Sequence, residues 1–317
     1  MTSRILALHD TPADFADLLA QRCADAEVRF ATRAEEVASS LAGFRPTAVL
    51  SIKHSGFPGE VHAPAVHAPG VQWFHVGGSG FEHLGTWDPS VVQVTHSAGV
   101  LAPFLAEMTL AAMLSLATGL PLYARDQRER AWRPRRFRSL ASQTLLIVGV
   151  GATGGELAHR ARALGMTVLG IRASAEPHPA VHAMHGPQSL RSLLPQADIV
   201  SVHARAGAAT RGLVGRDEFE AMKHGALFLN SSRGAIVDER ALIDALQSRH
   251  LGGAWLDVFA VEPLPSESPL WSLPNVLITP HCADQVTDFP RRFAQRFCDL
   301  RDALLRGEPL PALSPPD

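Results

Sequence analysis

Between Leu145 and Gly165 the chain reads LLIVGVGATGGELAHRARALG: an apolar run, a cluster of glycines, then an amphipathic run closed by another glycine. LLIV suits a strand buried on both faces, the spacing of ELAHRARAL suits a helix, and Gly165 suits a helix end. A strand that feeds a helix through so tight a turn is the start of a βαβ unit. That unit commits the surrounding chain to a parallel sheet with helices on its faces. The glycines add chemistry. In GVGATG, Gly149 permits the tight turn, Gly151 lets the backbone approach a pyrophosphate, and Gly154 lets the helix pack closely on the strand. The helix start at Ala152 and Thr153 then offers its free N–H groups to the anion.

A dinucleotide turn of this kind usually has an Asp or Glu about 20 residues on, placed to bind the ribose hydroxyls of NAD. In GMTVLGIRAS that place, at the end of the next strand, is held by Arg172. A carboxylate there repels the 2′-phosphate of NADP, whereas a guanidinium pairs with it, and Ser174 adds a further donor. NADP(H) is therefore expected ahead of NAD(H).

The 317 residues exceed one ordinary domain. Strand and helix patterns alternate from RILALHD through TAVLSIK, break down in the loop-like HSGFPGEVHAPAVHAPG, and resume at VQWFHVGGSG. A second, more regular series starts at Thr144 and continues through MTVLGI, DIVSVHA, ALFLN, AWLDVF and VLITP. The expected fold class is α/β: a Rossmann-type doubly wound parallel sheet domain (99–283) inserted into a smaller flavodoxin-like α/β substrate domain (1–98 plus 284–317).

A net charge of −2 gives no general pull toward nucleic acid or anionic membrane. The basic run RERAWRPRRFR reads as a solvated or subunit-facing segment. The apolar stretch from Gly99 to Leu120 contains Glu107 and Pro103, so a buried or subunit-facing helix is expected rather than a membrane span. Cys23, Cys282 and Cys298 are too scattered for disulfides or zinc, and MTSRILALHD enters a strand without a secretory h-region. A cytoplasmic protein is expected. His54, His62, His67, His75 and His83 lack ligand spacing, so no metal is expected and a loop-rich surface accounts for most of them. Cys282 beside His281 cannot easily form a dyad, because neighbours on an extended chain point to opposite sides.

LNSSRGAIVDE, LDVFAVEPLP and LITPHCADQ each leave the carboxyl end of a predicted strand, where ligands bind in an open α/β sheet, so Arg233, Glu262 and His281 can converge. The ordered set GVGATG, NSSRGAIVDE, DVFAVEPLP and TPH resembles the D-isomer-specific 2-hydroxyacid dehydrogenases over nearly the whole chain. The resemblance implies that Arg233, Glu262 and His281 are the active-site residues. It further implies that Asp257 contacts the nicotinamide carboxamide, and that the backbone at Ser79 and Gly80 holds the substrate carboxylate. Lys53 and His54, at a strand end, are added as substrate candidates. Reducing a 2-oxo acid needs a hydride at the keto carbon and a proton at its oxygen. An Arg fork suits the carboxylate and carbonyl, and histidine, which titrates near neutrality, suits the proton. A carboxylate bonded to the imidazole orients it.

A glyoxylate or hydroxypyruvate reductase working as a homodimer through residues 99–140 is implied, with Trp132 a candidate to approach the neighbouring site. A phosphoglycerate-type dehydrogenase is the weaker enzymatic alternative, and a nucleotide-sensing corepressor or scaffold the alternative of another class. Three positions depart from the family pattern. Asp284 stands where a small residue is common, and Arg205 and Gly207 replace a Pro and a Thr.

Overall fold

The computed structural model describes residues 3–54 and 56–315. The chain divides into two compact units: one runs through Leu101 and resumes at Val286, and the other is Ala102–Gln285.

The first unit is built on β1 (Arg4–Leu8), β2 (Glu27–Ala31), β3 (Ala48–Ile52), β4 (Trp73–Gly77) and β5 (Gln93–His96). All pairings are parallel, in the order β2-β1-β3-β4-β5. This is the flavodoxin-type order, whose direction of winding reverses between β1 and β3. The helix Phe289–Leu305 returns to this sheet, stacking Phe297 on Trp73 at 4.4 Å and setting Phe293 against Gly77.

The second unit contains β6 (Thr144–Val148), β7 (Thr167–Ile171), β8 (Ala183–His185), β9 (Ile199–Val202), β10 (Ala226–Asn230), β11 (Leu251–Leu256) and β12 (Val276–Ile278). Its order is β12-β11-β10-β9-β6-β7-β8, again wholly parallel. Successive residues of β6 alternate between two cores. Leu146 and Val148 pack with Phe228, Leu242 and Leu246 on one face, and Leu145 and Ile147 with Leu157, Ala161, Met113 and Trp255 on the other. Each Leu, Ile, Val, Phe or Met among them contributes roughly 1.5–3 kcal/mol by leaving water. A sheet covered on both sides holds its strand ends rigidly, and those ends carry the functional loops.

Several local expectations need correction. β5 and β8 are absent from the sequence reading, and β11 begins at Leu251 rather than Ala254. The stretch read as loop holds two short helical turns, Gly59–His62 and Ala63–His67. His62 and His75 are fully buried, so a loop-rich surface does not account for these two of the five histidines. His75 bonds Thr95 and Ser97 through its two ring nitrogens, and burial pushes both imidazoles down to about 3.

The basic run is partly paired: Arg133 and Arg135 both bind Asp126, and Arg138 binds Asp198 at 3.0 Å. Trp132 within the run is 96% exposed. Among the described residues no single helix is long and apolar enough to cross a membrane. Helices Ala102–Thr118 and Leu120–Glu129 reach that length only jointly, with a 61° bend between them.

Candidate active site

The glycine turn follows β6, at the strand where the order of the second sheet reverses. Gly149 has φ +103°, and a Cβ there would stand 2.6 Å from His203 C and 2.7 Å from Ala204 Cα, so only glycine lets the turn lie on the end of β9. Gly154 is equally constrained, since a Cβ would meet Gly149 O and stand 3.0 Å from Ile147 Cγ2. Around Gly151 a Cβ would meet nothing within 4 Å among the described residues. That residue caps the helix Ala152–Ala163 without a side-chain bond, so the first-turn donors at Ala152 and Thr153 border open space. Two glycines are thus used for packing and one borders room for a ligand, which fits a dinucleotide pyrophosphate.

Arg172 follows β7. Its Nε donates to Ser174 Oγ at 3.0 Å and its Nη2 to Glu176 Oε2 at 2.9 Å. Arg172 and Ser174, both expected at a 2′-phosphate, are thus bonded to each other, and Arg172 also to an acid, Glu176, that sequence reasoning missed. His178 from the same loop lies against Gly155 of the glycine-turn helix and edge-on to His159 at 5.5 Å.

At the carboxyl ends of β10, β11 and β12 three loops meet. His281 Nδ1 donates to Glu262 Oε2 at 2.7 Å, and Glu262 Oε1 accepts from Phe259 N at 2.9 Å. A carboxylate can only accept, so the hydrogen sits on His281 Nδ1 and Nε2 is the working nitrogen. The backbone of His281 is left-handed, with φ +48°, and its N–H donates to Asp257 O at 2.9 Å. A non-glycine residue held there costs energy that the surroundings must offset.

Asp257 provides much of that offset. Buried at 2% exposure, its carboxylate accepts from Thr279 Oγ1 at 2.5 Å, Cys282 N at 3.0 Å and Ala283 N at 3.1 Å. Burial pushes its carboxyl up, while these bonds pull it down. The family resemblance implies a nicotinamide contact for Asp257; this clamp on the histidine turn is a further role that the sequence reading does not contain. The pattern of an acid at a strand end opposite Thr-Pro-His was the available signal.

Arg233 follows Asn230, which is 1% exposed and uses its amide to bond Arg233 O at 3.3 Å and Ser232 N at 3.1 Å. Arg233 Nη1 donates to Ser232 O at 2.8 Å. The next residue, Gly234, lies directly on Phe259 and Ala260, so the loop of Arg233 and the loop of Glu262 are in backbone contact. The glycine of SRG is the signal for that approach. Ser232 Oγ also bonds Ala204 O, tying this loop to the one that carries Arg205 and Gly207.

In the first unit Ser79 and Gly80 follow β4, with His96 Nδ1 near Ser79 O at 3.4 Å. Lys53 Nζ donates to His83 Nδ1 at 3.1 Å, and burial together with the Lys53 ammonium holds His83 down to about 4. His54 Nε2 bonds Asp10 Oδ1 at 2.8 Å.

A family profile described as D-isomer specific 2-hydroxyacid dehydrogenase, NAD binding domain, matches residues 110–283. Over 232 residues the chain is 33% identical to a glyoxylate reductase of Korarchaeum cryptofilum, covering 70% of this chain and 69% of that protein. Matches to D-3-phosphoglycerate dehydrogenases span only 34–39% of their length. Among solved structures, a D-isomer specific 2-hydroxyacid dehydrogenase family protein from Aeromonas salmonicida superposes with TM-score 0.88 at 30% identity, covering 98% of both chains. A D-isomer specific 2-hydroxyacid dehydrogenase from Xanthobacter autotrophicus, in complex with NADPH and MES, gives 0.81 at 30% identity and 99% of both chains.

Proposed function

Because the chain belongs to the D-isomer specific 2-hydroxyacid dehydrogenase family, we propose that it reduces a small 2-oxo acid of the glyoxylate or hydroxypyruvate type, with NADPH preferred, as a homodimer. The observation that carries this reading is the 2.7 Å bond between His281 Nδ1 and Glu262. It fixes the tautomer, and it presents Nε2 as the position where a proton is held and given. When bound, NADPH supplies the hydride for the keto carbon. His281 supplies the proton for the oxygen, and Glu262 stabilises the imidazolium before transfer. Arg233 binds the carboxylate and polarises the carbonyl with its planar donor fork. Ser79 and Gly80 offer backbone donors to the carboxylate, and Lys53 and His54 complete the substrate set. Among the described residues Asp257 Oδ2 accepts one hydrogen bond, from Ala283 N, and so keeps acceptor capacity for a carboxamide.

The preference for NADPH rests on Arg172 and Ser174. The competing acid, Glu176, is 73% exposed, and ion pairs of that kind contribute about 0–1 kcal/mol, so a phosphate dianion displaces it. The name of the Korarchaeum relative and the NADPH in the Xanthobacter structure support substrate class and cofactor. The homodimer rests on the half-buried apolar face of helix Ala102–Thr118 and on exposed Trp132.

The test is NADPH and NADH oxidation with a panel of 2-oxo acids, alongside sedimentation. Turnover of glyoxylate or hydroxypyruvate to the D-product by a dimer, at least about tenfold more efficiently with NADPH, is expected. Tight nucleotide binding with no turnover of any acid sinks the proposal.

A further inference from the structure

The winding reversal of the first sheet places the loops after β1 and β3 side by side, and such a reversal opens a crevice at the carboxyl ends of the strands where ligands bind. His9 and Asp10 leave β1, and His54 leaves β3 two residues after Ile52. Their ligand-type atoms lie within 4.8 Å of one another. Asp10 Oδ1 is 2.8 Å from His54 Nε2 and 3.9 Å from His9 Nε2. A tetrahedral ion with bonds of about 2.0–2.1 Å spaces its donors about 3.3 Å apart, between those two distances.

We propose that His9, Asp10 and His54 form a three-ligand site for a divalent cation of the zinc type. Two imidazoles and one carboxylate favour zinc over magnesium or calcium, which take oxygen donors. His9 is prepared for the role. It is 1% exposed, and its Nδ1 donates to Ile52 O at 3.0 Å, so Nε2 carries the lone pair and accepts from Thr11 Oγ1 at 3.1 Å; when the cation takes that lone pair the hydroxyl donates to Asp14 Oδ2, also 3.1 Å away. A backbone acceptor on the far nitrogen is the usual outer support of a metal-bound histidine. His54 now accepts Gly56 N–H on Nδ1 at 3.0 Å and points its Nε2 hydrogen at Asp10. The cation replaces that hydrogen: the proton moves to Nδ1, and the exposed Gly56 N–H turns to water. Asp10 and His54 side chains are 38% and 19% exposed, so solvent supplies the fourth ligand and the entry path. A bound ion would also tie the Lys53 loop to the end of β1. The separation of 44 residues between Asp10 and His54 hides this set from sequence spacing, from which no metal is expected.

The site shares His54 with the proposed substrate set, but its test reads metal binding and needs no turnover, so its failure is distinguishable from failure of the reductase reading. Chelator-treated full-length protein is titrated with Zn²⁺, with Mg²⁺ as control, by calorimetry and thermal melting. One equivalent of Zn²⁺ is expected, with a rise of roughly 5–10 °C in melting temperature at a hundredfold excess over Kd, and no response to Mg²⁺. Asp10→Asn and His54→Gln should each weaken binding by at least about tenfold. Absence of Zn²⁺ binding overturns the proposal, as does unchanged affinity in both variants. If a variant folds poorly, Co²⁺ decides on the native protein: a tetrahedral visible spectrum supports the site, and an octahedral or absent one overturns it.

Discussion

Gly234→Ala isolates the contact on which the relative placement of Arg233 and Glu262 depends. A methyl group at Gly234 would stand 2.6 Å from Ala260 N and closer still to the carbonyl of Phe259, against an ordinary contact of 3.4 Å or more. One loop must therefore retreat by more than 0.8 Å. The obstructing atoms are backbone, so no side-chain rotation relieves the clash. Phe259 N anchors Glu262 at 2.9 Å and Ala260 N is held by Glu239 at 3.0 Å, so the retreat pulls on the carboxylate that orients His281. Misplacement of about 1 Å in an active site costs on the order of 100-fold, and overpacking a well-filled contact costs about 1–3 kcal/mol. The assay is kcat/KM with the best 2-oxo acid, together with NADPH affinity and melting temperature. The expected result is a loss of about 100-fold in kcat/KM with NADPH affinity within about threefold of wild type, because the glycine turn lies on another loop. Gly43→Ala serves as control: nothing lies within 4 Å of a Cβ there, and the residue sits in helix Ala34–Phe44. Wild-type kcat/KM and stability in Gly234→Ala would refute the argument that this contact sets the site.

Arg172→Asp should weaken NADPH by about 10- to 100-fold, the equivalent of about 1.5–3 kcal/mol of charge-assisted hydrogen bonding, and relatively favour NADH. Unchanged NADPH affinity in a direct binding titration contradicts the assignment. The buried histidines set an acid limit. With folded values of about 3 against 6.5 unfolded, His62 and His75 take up protons mainly after unfolding, so stability falls as pH drops from 6.5 toward 3. Each contributes a slope of about 1.4 kcal/mol per pH unit within that window. Urea midpoints between pH 7 and 5 should fall less steeply in His75→Gln, and an identical slope would discount the desolvation argument.

The parts of this chain legible in its sequence were those in which one residue type has one physical use. Gly149 and Gly154 could be read because close backbone approach tolerates nothing larger, and LLIV because only a strand covered on both faces is so uniformly apolar. Arg233, Glu262 and His281 could be brought together from their strand-end positions, but their roles as active-site residues came only through the family resemblance. What escaped were features set by three-dimensional neighbours. β8 is three residues long and carries no alternation, and β5 reads QVTH, with too few apolar residues to stand out. The burial of His75 was not legible because its companions, Thr95 on β5 and Ser97 just beyond it, lie 20 and 22 residues away. The clamp by Asp257 on Thr279, Cys282 and Ala283 spans adjacent parallel strands, which local spacing does not encode.

Because Phe297 stacks on Trp73, the first sheet is roofed by a helix that lies more than 200 residues downstream. On the ribosome that sheet emerges early and waits through the synthesis of the whole second unit with its aromatic flank bare. The inserted unit, whose strands and helices are contiguous in the chain, has no such wait. The order of birth is thus inverted in the order of completion, and the earliest segment is the one that needs shielding from premature association.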